Sequence, residues 1–280
     1  MPENNIKNIV IIGAGPAGAS VAIQLKKAGI EPFLIDSKGY AGGLIENAYK
    51  VQNYIGLKDI KGKSFSEKIK NDLESFNIKI KHANISEIKK SDKDHFIVTT
   101  SSENFNSKII VLAVGTSPKT YEPIDNDLRN KIFYDLVTLQ KHDSFNIVKH
   151  IIIIGGGESA FDYALSLSDL GKNVLVLVRN NLSKVRGILK DEVEKNNKIK
   201  IIYNVKQDLI NKYIRENDLT LSAIGRKSAL DNIKLGFELP HPNVYVIGDA
   251  AHGALGQTAI ASGEGIACAN SIINLFGDKN

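Results

Sequence analysis

Cysteine and long apolar runs are the scarcest features of this sequence. Its 280 residues include one cysteine, one methionine and no tryptophan. Because Cys268 stands alone, the chain has no intrachain disulfide, no CxxC redox pair and no thiolate-rich metal site. No run approaches the roughly 18 uncharged apolar residues of a membrane helix, and the opening MPENNIKN does not resemble a signal peptide. These features predict a cytoplasmic protein with no membrane contact and no metal site.

The composition is otherwise that of an ordinary globular protein. Hydrophobic residues make up 42% and charged residues 24% of the chain, which is long enough for two modest domains. The formal net charge is +5, and lysine is scattered among aspartate and glutamate without a long block of one sign. This pattern argues against a nucleic-acid partner, whereas a mildly basic surface is compatible with an acidic protein partner.

Two stretches of the chain repeat one pattern. NIVIIGAGPAGASVAIQL at residues 8–25 and HIIIIGGGESAFDYALSL at 150–167 each predict a buried strand, a glycine-rich turn and an amphipathic helix. Three pairs of glycines are related by an offset of 142 residues: Gly13 and Gly155, Gly15 and Gly157, Gly29 and Gly171. Chance matches of this quality are improbable, so the repeat predicts two dinucleotide-binding domains.

Each small residue of the turn has its own task. The first glycine permits a tight turn, and the second lets the backbone approach the phosphates. The third small residue, Gly18 or Ala160, lets the helix pack on the strand. The helix then begins with unpaired N–H groups and a partial positive charge, which favour a bound pyrophosphate.

The second strand of each repeat ends differently. The first copy ends in FLIDSK and places Asp36 where a carboxylate can accept hydrogen bonds from both ribose hydroxyls of an adenosine. The second copy ends in VLVLVRN, with Val178 at the matching position and Arg179 after it. A cation there would attract a 2′-phosphate that a carboxylate would repel, so the second site is predicted to prefer NADPH to NADH.

Shorter segments add to this pattern. YAGGLIENAYKVQNYIG at 40–56 carries paired glycines, and IIVLAVGTSPK at 109–119 predicts a buried strand that leads into Gly115 and a proline. From residue 243, NVYVIGDAAHGALGQTAIASGEG predicts a strand, then Gly248 and Asp249, then a helix. His252 in this segment is interpreted as a structural or solvated side chain.

These motifs, in this order, resemble the thioredoxin reductase-like branch of the two-dinucleotide flavoproteins over essentially the whole chain. The resemblance implies an α/β fold with two Rossmann-like three-layer domains. An NAD(P)H-binding domain at 118–240 would interrupt an FAD-binding domain at 1–117 and 241–280. Because the CxxC of thioredoxin reductases is absent, the chain is most similar to the cysteine-free members, the ferredoxin or flavodoxin:NADP reductases.

The resemblance also implies which residues hold the cofactors. FAD would contact Gly13, Gly15, Pro16, Ala17, Gly18, Asp36, Gly42, Gly43, Leu44, Asn53, Gly115, Gly248, Asp249, Gln257, Thr258 and Ala259. In that set, Asp249 would bind the ribityl chain, and residues 257–259 would lie beside the flavin ring. The nicotinamide nucleotide would contact Gly155, Gly156, Gly157, Glu158, Ser159, Arg179, Lys184, Arg186 and Gly225.

The phosphate clamp departs from the family pattern, which is typically HRRxxxR. VRNNLSKVR keeps Arg179, has Asn180 in place of the second arginine, and offers Lys184 or Arg186 further along. NADPH is therefore the expected donor, with NADH left open. No catalytic acid, base or nucleophile is predicted, because hydride passes directly from nicotinamide to flavin once the rings are stacked.

The resemblance predicts an FAD-dependent NAD(P)H oxidoreductase that delivers electrons to ferredoxin or flavodoxin and forms a homodimer. A second hypothesis keeps this chemistry but changes the acceptor to a quinone, oxygen or a small disulfide. A third is a flavin-holding redox sensor with a vestigial nicotinamide site. The intact GGGESA argues against the sensor, because a decayed site has no reason to keep glycines that cost chain entropy.

Overall fold

The computed structural model describes residues 6–91, 95–122, 125–181, 185–217, 219–253 and 256–277. Within these residues the strands are β1 (Ile6–Ile12), β2 (Phe33–Asp36), β3 (Ile80–His82), β4 (Ile85–Lys90), β5 (Phe96–Thr100), β6 (Asn104–Leu112), β7 (Thr116–Pro118), β8 (Ile132–Phe133), β9 (His150–Ile154), β10 (Asn173–Leu177), β11 (Ile199–Ile202), β12 (Thr220–Ser222), β13 (Arg226–Ser228), β14 (Lys234–Gly236) and β15 (Val244–Val246). The α-helices are α1 (Pro16–Lys27), α2 (Gly62–Ser75), α3 (Leu136–Gln140), α4 (Glu158–Asp169), α5 (Ile188–Glu194), α6 (Gln207–Glu216), α7 (Asp249–His252) and α8 (Thr258–Gly277). Short 3₁₀ helices lie at Gly43–Asn47, Asn126–Lys131, Asp143–Phe145 and Ala229–Asn232.

The chain divides into two compact units. The first comprises residues 1–46, 52–117 and 227–280, and the second comprises 47–51 and 118–226. The division at Ser117 and Pro118 coincides with the predicted end of the first segment. The return at Lys227 is earlier than the predicted residue 241, because β14 pairs with β4 in the sheet of the first unit. The assignment of residues 47–51 to the second unit is not anticipated by the sequence pattern.

The sheet of the first unit contains a parallel core with the order β3–β2–β1–β6–β15. β6 is long enough to pair with two strands on the same side. Its first half pairs with β5 in antiparallel fashion, and its second half pairs with β15 in parallel. Beyond β5, the sheet continues with β4 and then β14. On a face of this sheet, α1 packs against the C-terminal helix α8.

The sheet of the second unit has the order β11–β10–β9–β12–β8 and is parallel throughout. This order corresponds strand by strand to the parallel core of the first unit. The first unit obtains its fifth strand from the end of the chain, whereas the second obtains it from its own beginning. The short strands β7 and β13, where the chain leaves and re-enters the first unit, pair with each other.

Continuous isoleucine and valine runs form the central strands for a simple reason. Residues 9–12 in β1 and 151–154 in β9 are at most 5% exposed. A parallel strand covered on both faces excludes water from every side chain, so it is apolar throughout and does not alternate. Among the described residues, no helix is long and apolar enough to span a bilayer.

Candidate cofactor sites

The first glycine turn connects β1 to α1. Gly13 has a φ of +107°, and its N–H donates to the carbonyl of Ile35 at 2.7 Å. A Cβ on Gly13 would lie 2.2 Å from the carbonyl oxygen of Ala113, and one on Gly18 would lie 1.9 Å from that of Gly13. Both glycines are therefore needed for backbone packing. The turn therefore tolerates no side chain at these two positions.

Gly15 has a different environment. It is the N-cap of α1, and apart from its chain neighbours no atom of the described residues lies within 4 Å of the position that its Cβ would occupy. Pro16 begins the helix, while Ala17 is buried and faces the backbone of Gly248. Gly15 has no side chain that could cap the first N–H groups of α1. The open space beside a bare helix N-terminus fits a pyrophosphate group.

The second glycine turn reproduces this geometry between β9 and α4. The Gly155 N–H donates to the carbonyl of Leu177 at 3.0 Å, and a Cβ on Gly155 would lie 2.4 Å from the carbonyl oxygen of Ala223. Gly157 is the N-cap of α4 and again faces open space. In both turns, therefore, the first glycine packs against backbone, and the glycine two residues later faces open space. The second turn also fits a pyrophosphate.

Neighbouring residues complete the second turn. A Cβ on Gly156 would lie 2.6 Å from Cγ1 of Val178, so the middle glycine allows the turn to pass close to the end of β10. Glu158 and Ser159 are exposed in the first turn of α4. Gly225 has a φ of +119°, and its carbonyl accepts the N–H of Lys119.

The ends of β2 and β10 present opposite charges, as predicted. One carboxylate oxygen of Asp36 accepts the N–H of Ala14 at 2.9 Å, and the other accepts that of Lys38 at 2.7 Å. Each oxygen retains a lone pair for a ribose hydroxyl. Val178 is buried at the corresponding place, and the exposed Arg179 follows it.

Arg179 lies within electrostatic reach of a buried tyrosine. Burial raises the pKa of Tyr121, and both a hydrogen bond from Gln207 and the charge of Arg179 oppose that rise. The Tyr121 hydroxyl donates to Asn211 at 3.0 Å. Arg186 is exposed, and the predicted contribution of Lys184 lies outside the described residues.

The paired glycines 42 and 43 lie against the first turn. The Gly42 N–H donates to the carbonyl of Ala14 at 2.9 Å, and a Cβ on Gly42 would lie 2.0 Å from the Ser66 hydroxyl. A Cβ on Gly43 would lie 3.2 Å from Cα of Gly15. Leu44 is half-buried in the 3₁₀ helix that follows. The structure thus brings this segment to the edge of the space that Gly15 leaves open.

The remaining residues predicted to bind FAD lie in three segments of the first unit. The side-chain amide of Asn53 donates to Gln257 at 2.8 Å, so a hydrogen bond joins two of these residues directly. Gly248 has a φ of +67° and precedes Asp249 at the start of α7. Thr258 and Ala259 begin α8, where Ala259 is exposed. Gly115, whose carbonyl accepts the N–H of Ala229, lies where the chain leaves the first unit.

The site set predicted from sequence omits a carboxylate in the second unit. Asp162 on α4 is half-buried and accepts the N–H of Tyr49 at 2.8 Å and that of Lys50. Burial raises the pKa of Asp162 from 3.8 to about 6, these two hydrogen bonds oppose the rise, and the charge of Glu158 adds to it. The sequence signal is an acid in the second turn of the helix that follows the glycines.

Asp162→Asn should alter how stability depends on pH. Between about pH 4 and pH 6 the unfolded chain has lost the proton that folded Asp162 still holds, so wild-type stability falls as pH rises through this window. The free energy of unfolding lost across this window because of Asp162 is up to about 3 kcal/mol. Asparagine cannot titrate, so its pH profile should be flatter there, while its carbonyl still accepts one backbone N–H.

Urea unfolding of both proteins at pH 4.5, 5.5 and 7 measures this difference. Asp191→Asn, an exposed acid on α5 of the same unit, is the matched control. Parallel profiles for wild type and Asp162→Asn would contradict the assignment.

A family model and curated proteins of known name match most of this chain. The family model described as pyridine nucleotide-disulphide oxidoreductase matches residues 7–231. The chain is 26% identical over 206 residues to a thioredoxin reductase of Bacillus subtilis, covering 73% of this chain and 64% of that protein. It is 27% identical over 331 aligned positions to a ferredoxin–NADP reductase of Ligilactobacillus salivarius, covering 100% of this chain and 94% of that protein. This chain therefore spans less than two thirds of the first relative and nearly all of the second.

A solved structure shares the fold. The crystal structure of T. acidophilum thioredoxin reductase superimposes with a TM-score of 0.81 at 23% identity, covering 98% of this chain and 99% of that one. This similarity confirms the predicted α/β fold with two Rossmann-like domains.

Proposed function

Because the chain belongs to the pyridine nucleotide-disulphide oxidoreductase family, we propose that it binds FAD at the first glycine turn and NADPH at the second, and passes electrons to a separate acceptor. The observation that carries this proposal is the duplicated turn, in which one glycine packs against backbone and the glycine two residues later faces open space in both units. A single nucleotide would need only one such turn. The resemblance to thioredoxin reductase-like flavoproteins supports FAD as the ligand of the first turn.

The proposed chemistry makes small demands on side chains. When bound, the nicotinamide and flavin rings supply hydride transfer, and the protein supplies orientation and exclusion of water. Asp36 would accept the ribose hydroxyls of FAD, and the bare N-termini of α1 and α4 would hold the two pyrophosphates. Asn53 and Gln257, joined by a hydrogen bond, would support the flavin edge.

The proposal of a separate acceptor is supported by the chemistry of the lone cysteine. Cys268 is buried, and burial raises its pKa to about 12, so the thiol stays protonated and unreactive. Without a second thiol, electrons cannot pass through an internal disulfide. The relative from Ligilactobacillus salivarius, aligned over the whole chain, is named for ferredoxin. We therefore place ferredoxin or flavodoxin first among the acceptors, and the homodimer stays a prediction.

Anaerobic titration of the yellow protein with NADPH and, separately, with NADH tests this function. NADPH is expected to bleach the visible flavin absorbance faster than NADH at the same concentration. If dithionite bleaches the flavin and neither nucleotide does, the second turn does not deliver hydride and the proposal fails. Reduced protein mixed with ferredoxin, flavodoxin, a quinone, oxygen or a small disulfide then identifies the acceptor by the rate of reoxidation.

Arg179→Ala should raise the NADPH concentration that gives the half-maximal rate of flavin reduction about 10-fold to 100-fold and leave that for NADH unchanged. The reason is that a charge-assisted hydrogen bond to the 2′-phosphate contributes about 1.5–3 kcal/mol. Arg129→Ala, which removes an exposed arginine paired with Glu122 in the same unit, should change neither value. An equal loss for both nucleotides would place Arg179 outside the 2′-phosphate site.

A further inference from the structure

The C-terminal helix carries one charged residue, and it is bonded to the segment that begins α7. Within α8, Glu264 is the only acid or base in the sequence from Thr258 to Gly277. One of its carboxylate oxygens accepts the Gly248 N–H at 2.7 Å, and the other pairs with Nε2 of His252. The one charged side chain of α8 therefore makes two specific bonds to one short segment.

The position of Glu264 is set by close helix packing. The next residue, Gly265, approaches α1 so closely that a Cβ would lie 2.4 Å from the carbonyl oxygen of Ala17. A Cβ on Gly248 would lie 3.1 Å from the Cβ of the same alanine. Ala17, Gly248 and Gly265 thus form one close contact beside the first glycine turn, and Gly248 donates a hydrogen bond to Glu264, the residue before Gly265.

The segment that Glu264 holds carries Asp249. Gly248 has a φ of +67°, so the chain turns sharply immediately before this aspartate. Asp249 lies beside Gly256, where a Cβ would be 2.1 Å from its carboxylate oxygen. The direction of the Asp249 side chain therefore depends on how the turn at Gly248 is held. Glu264 fixes the turn before Asp249, and its bond to His252 fixes the end of α7.

We propose that Glu264 and His252 are positioning residues that hold the Gly248–Asp249 turn in the geometry required by the flavin. This inference rests on the proposed binding of FAD in the first unit. The two residues act through Asp249 and the backbone and do not take part in hydride transfer. His252, interpreted from sequence as structural or solvated, thereby acquires a defined partner and a defined task.

Glu264→Ala is expected to weaken FAD binding about 10-fold or more, because it removes a hydrogen bond between a carboxylate and a backbone N–H. Glu264→Gln keeps an oxygen that accepts from Gly248 and should restore most of the affinity. His252→Ala should weaken binding by a smaller factor, about threefold to 10-fold, since the Gly248 bond survives. Glu74→Ala, which removes an exposed acid on α2, is the matched control.

The experiment measures FAD affinity from the fluorescence of released flavin, the visible spectrum of the bound flavin, and the melting temperature of each apoprotein. Weaker binding and a shifted spectrum at an unchanged melting temperature support a positioning role. If Glu264→Ala does not fold, His252→Ala decides, because its side chain is 43% exposed and its removal opens no cavity. Affinity and spectrum within experimental error of wild type in His252→Ala would then overturn the proposal.

The outcomes also separate this inference from the function on which it rests. Wild-type protein that does not bind FAD overturns both. Wild-type protein that binds FAD, with folded Glu264→Ala retaining its affinity within threefold and an unchanged spectrum, overturns the positioning role and leaves the proposed function intact.

Discussion

Gly155→Ala should destabilise the second unit by about 4 kcal/mol, whereas Gly157→Ala should leave it folded and weaken NADPH binding at least about 100-fold. Gly155 has a φ of +148°, and its Cβ would lie 2.4 Å from the carbonyl oxygen of Ala223. The variant thus combines an unfavourable backbone conformation with a clash against backbone, at about 1–3 kcal/mol each. Folded domains are stable by only about 5–15 kcal/mol, so this loss is a large fraction of the total.

Gly157 differs in both respects. Its φ of −101° suits any residue, and no atom lies within 4 Å of the added Cβ. The methyl group would instead stand in the open space beside the N-terminus of α4, where in the proposed function the backbone approaches the pyrophosphate of NADPH. We expect stability within about 0.5 kcal/mol of wild type and NADPH binding weakened at least about 100-fold.

Urea unfolding and NADPH titration of the two variants make the comparison. Because the two substitutions are chemically identical and two residues apart, each is the control for the other. The same loss of stability in both variants would contradict the assignment of a packing role to Gly155 and a binding role to Gly157. Full NADPH binding by folded Gly157→Ala would show that the open space is not the pyrophosphate site.

Asp36→Ala should weaken FAD binding at least about 100-fold. The carboxylate accepts the N–H groups of Ala14 and Lys38 and, in the proposed function, two ribose hydroxyls. Hydrogen bonds to a charged group contribute about 1.5–3 kcal/mol each, so the loss of the two ribose bonds alone exceeds a 100-fold change in affinity. Unpairing the Ala14 N–H also loosens the first turn itself.

Equilibrium titration of the apoprotein with FAD measures the effect. Asp36→Asn keeps one acceptor oxygen and should lie between Asp36→Ala and wild type, and Asp72→Ala on the exposed face of α2 should match wild type. An affinity within threefold of wild type in Asp36→Ala would remove Asp36 from the FAD site. The melting temperature of the apoprotein separates this result from a general loss of folding.

Much of the candidate site could be predicted from local sequence because the glycine turns are local structures. The offset of 142 residues reappears in the backbone, where Gly13 bonds to Ile35 and Gly155 to Leu177. Asp36 and Arg179 also lie where the ends of their strands place them. A turn, a helix start and a strand end each depend on residues within about 25 positions, so the pattern of one short segment determines them.

Other features were decided only by the tertiary structure. The chain returns to the first unit at Lys227 because β14 pairs with β4, which is more than 140 residues earlier in the chain. Asp162 bonds to the backbone of residues 49 and 50 in a segment that joins the second unit. Glu264 meets Gly248 and His252 only when α8 packs on α1.

The physical reason is the same in each case. A carboxylate in a helix has the same local pattern whether it faces water or a distant backbone N–H, so sequence alone does not identify its partner. The sequence by itself determined two glycine turns, their spacing and the charge at the end of each second strand. The packing of distant segments decided where the units divide, which acids accept hydrogen bonds from distant backbone N–H groups and what holds the turn before Asp249.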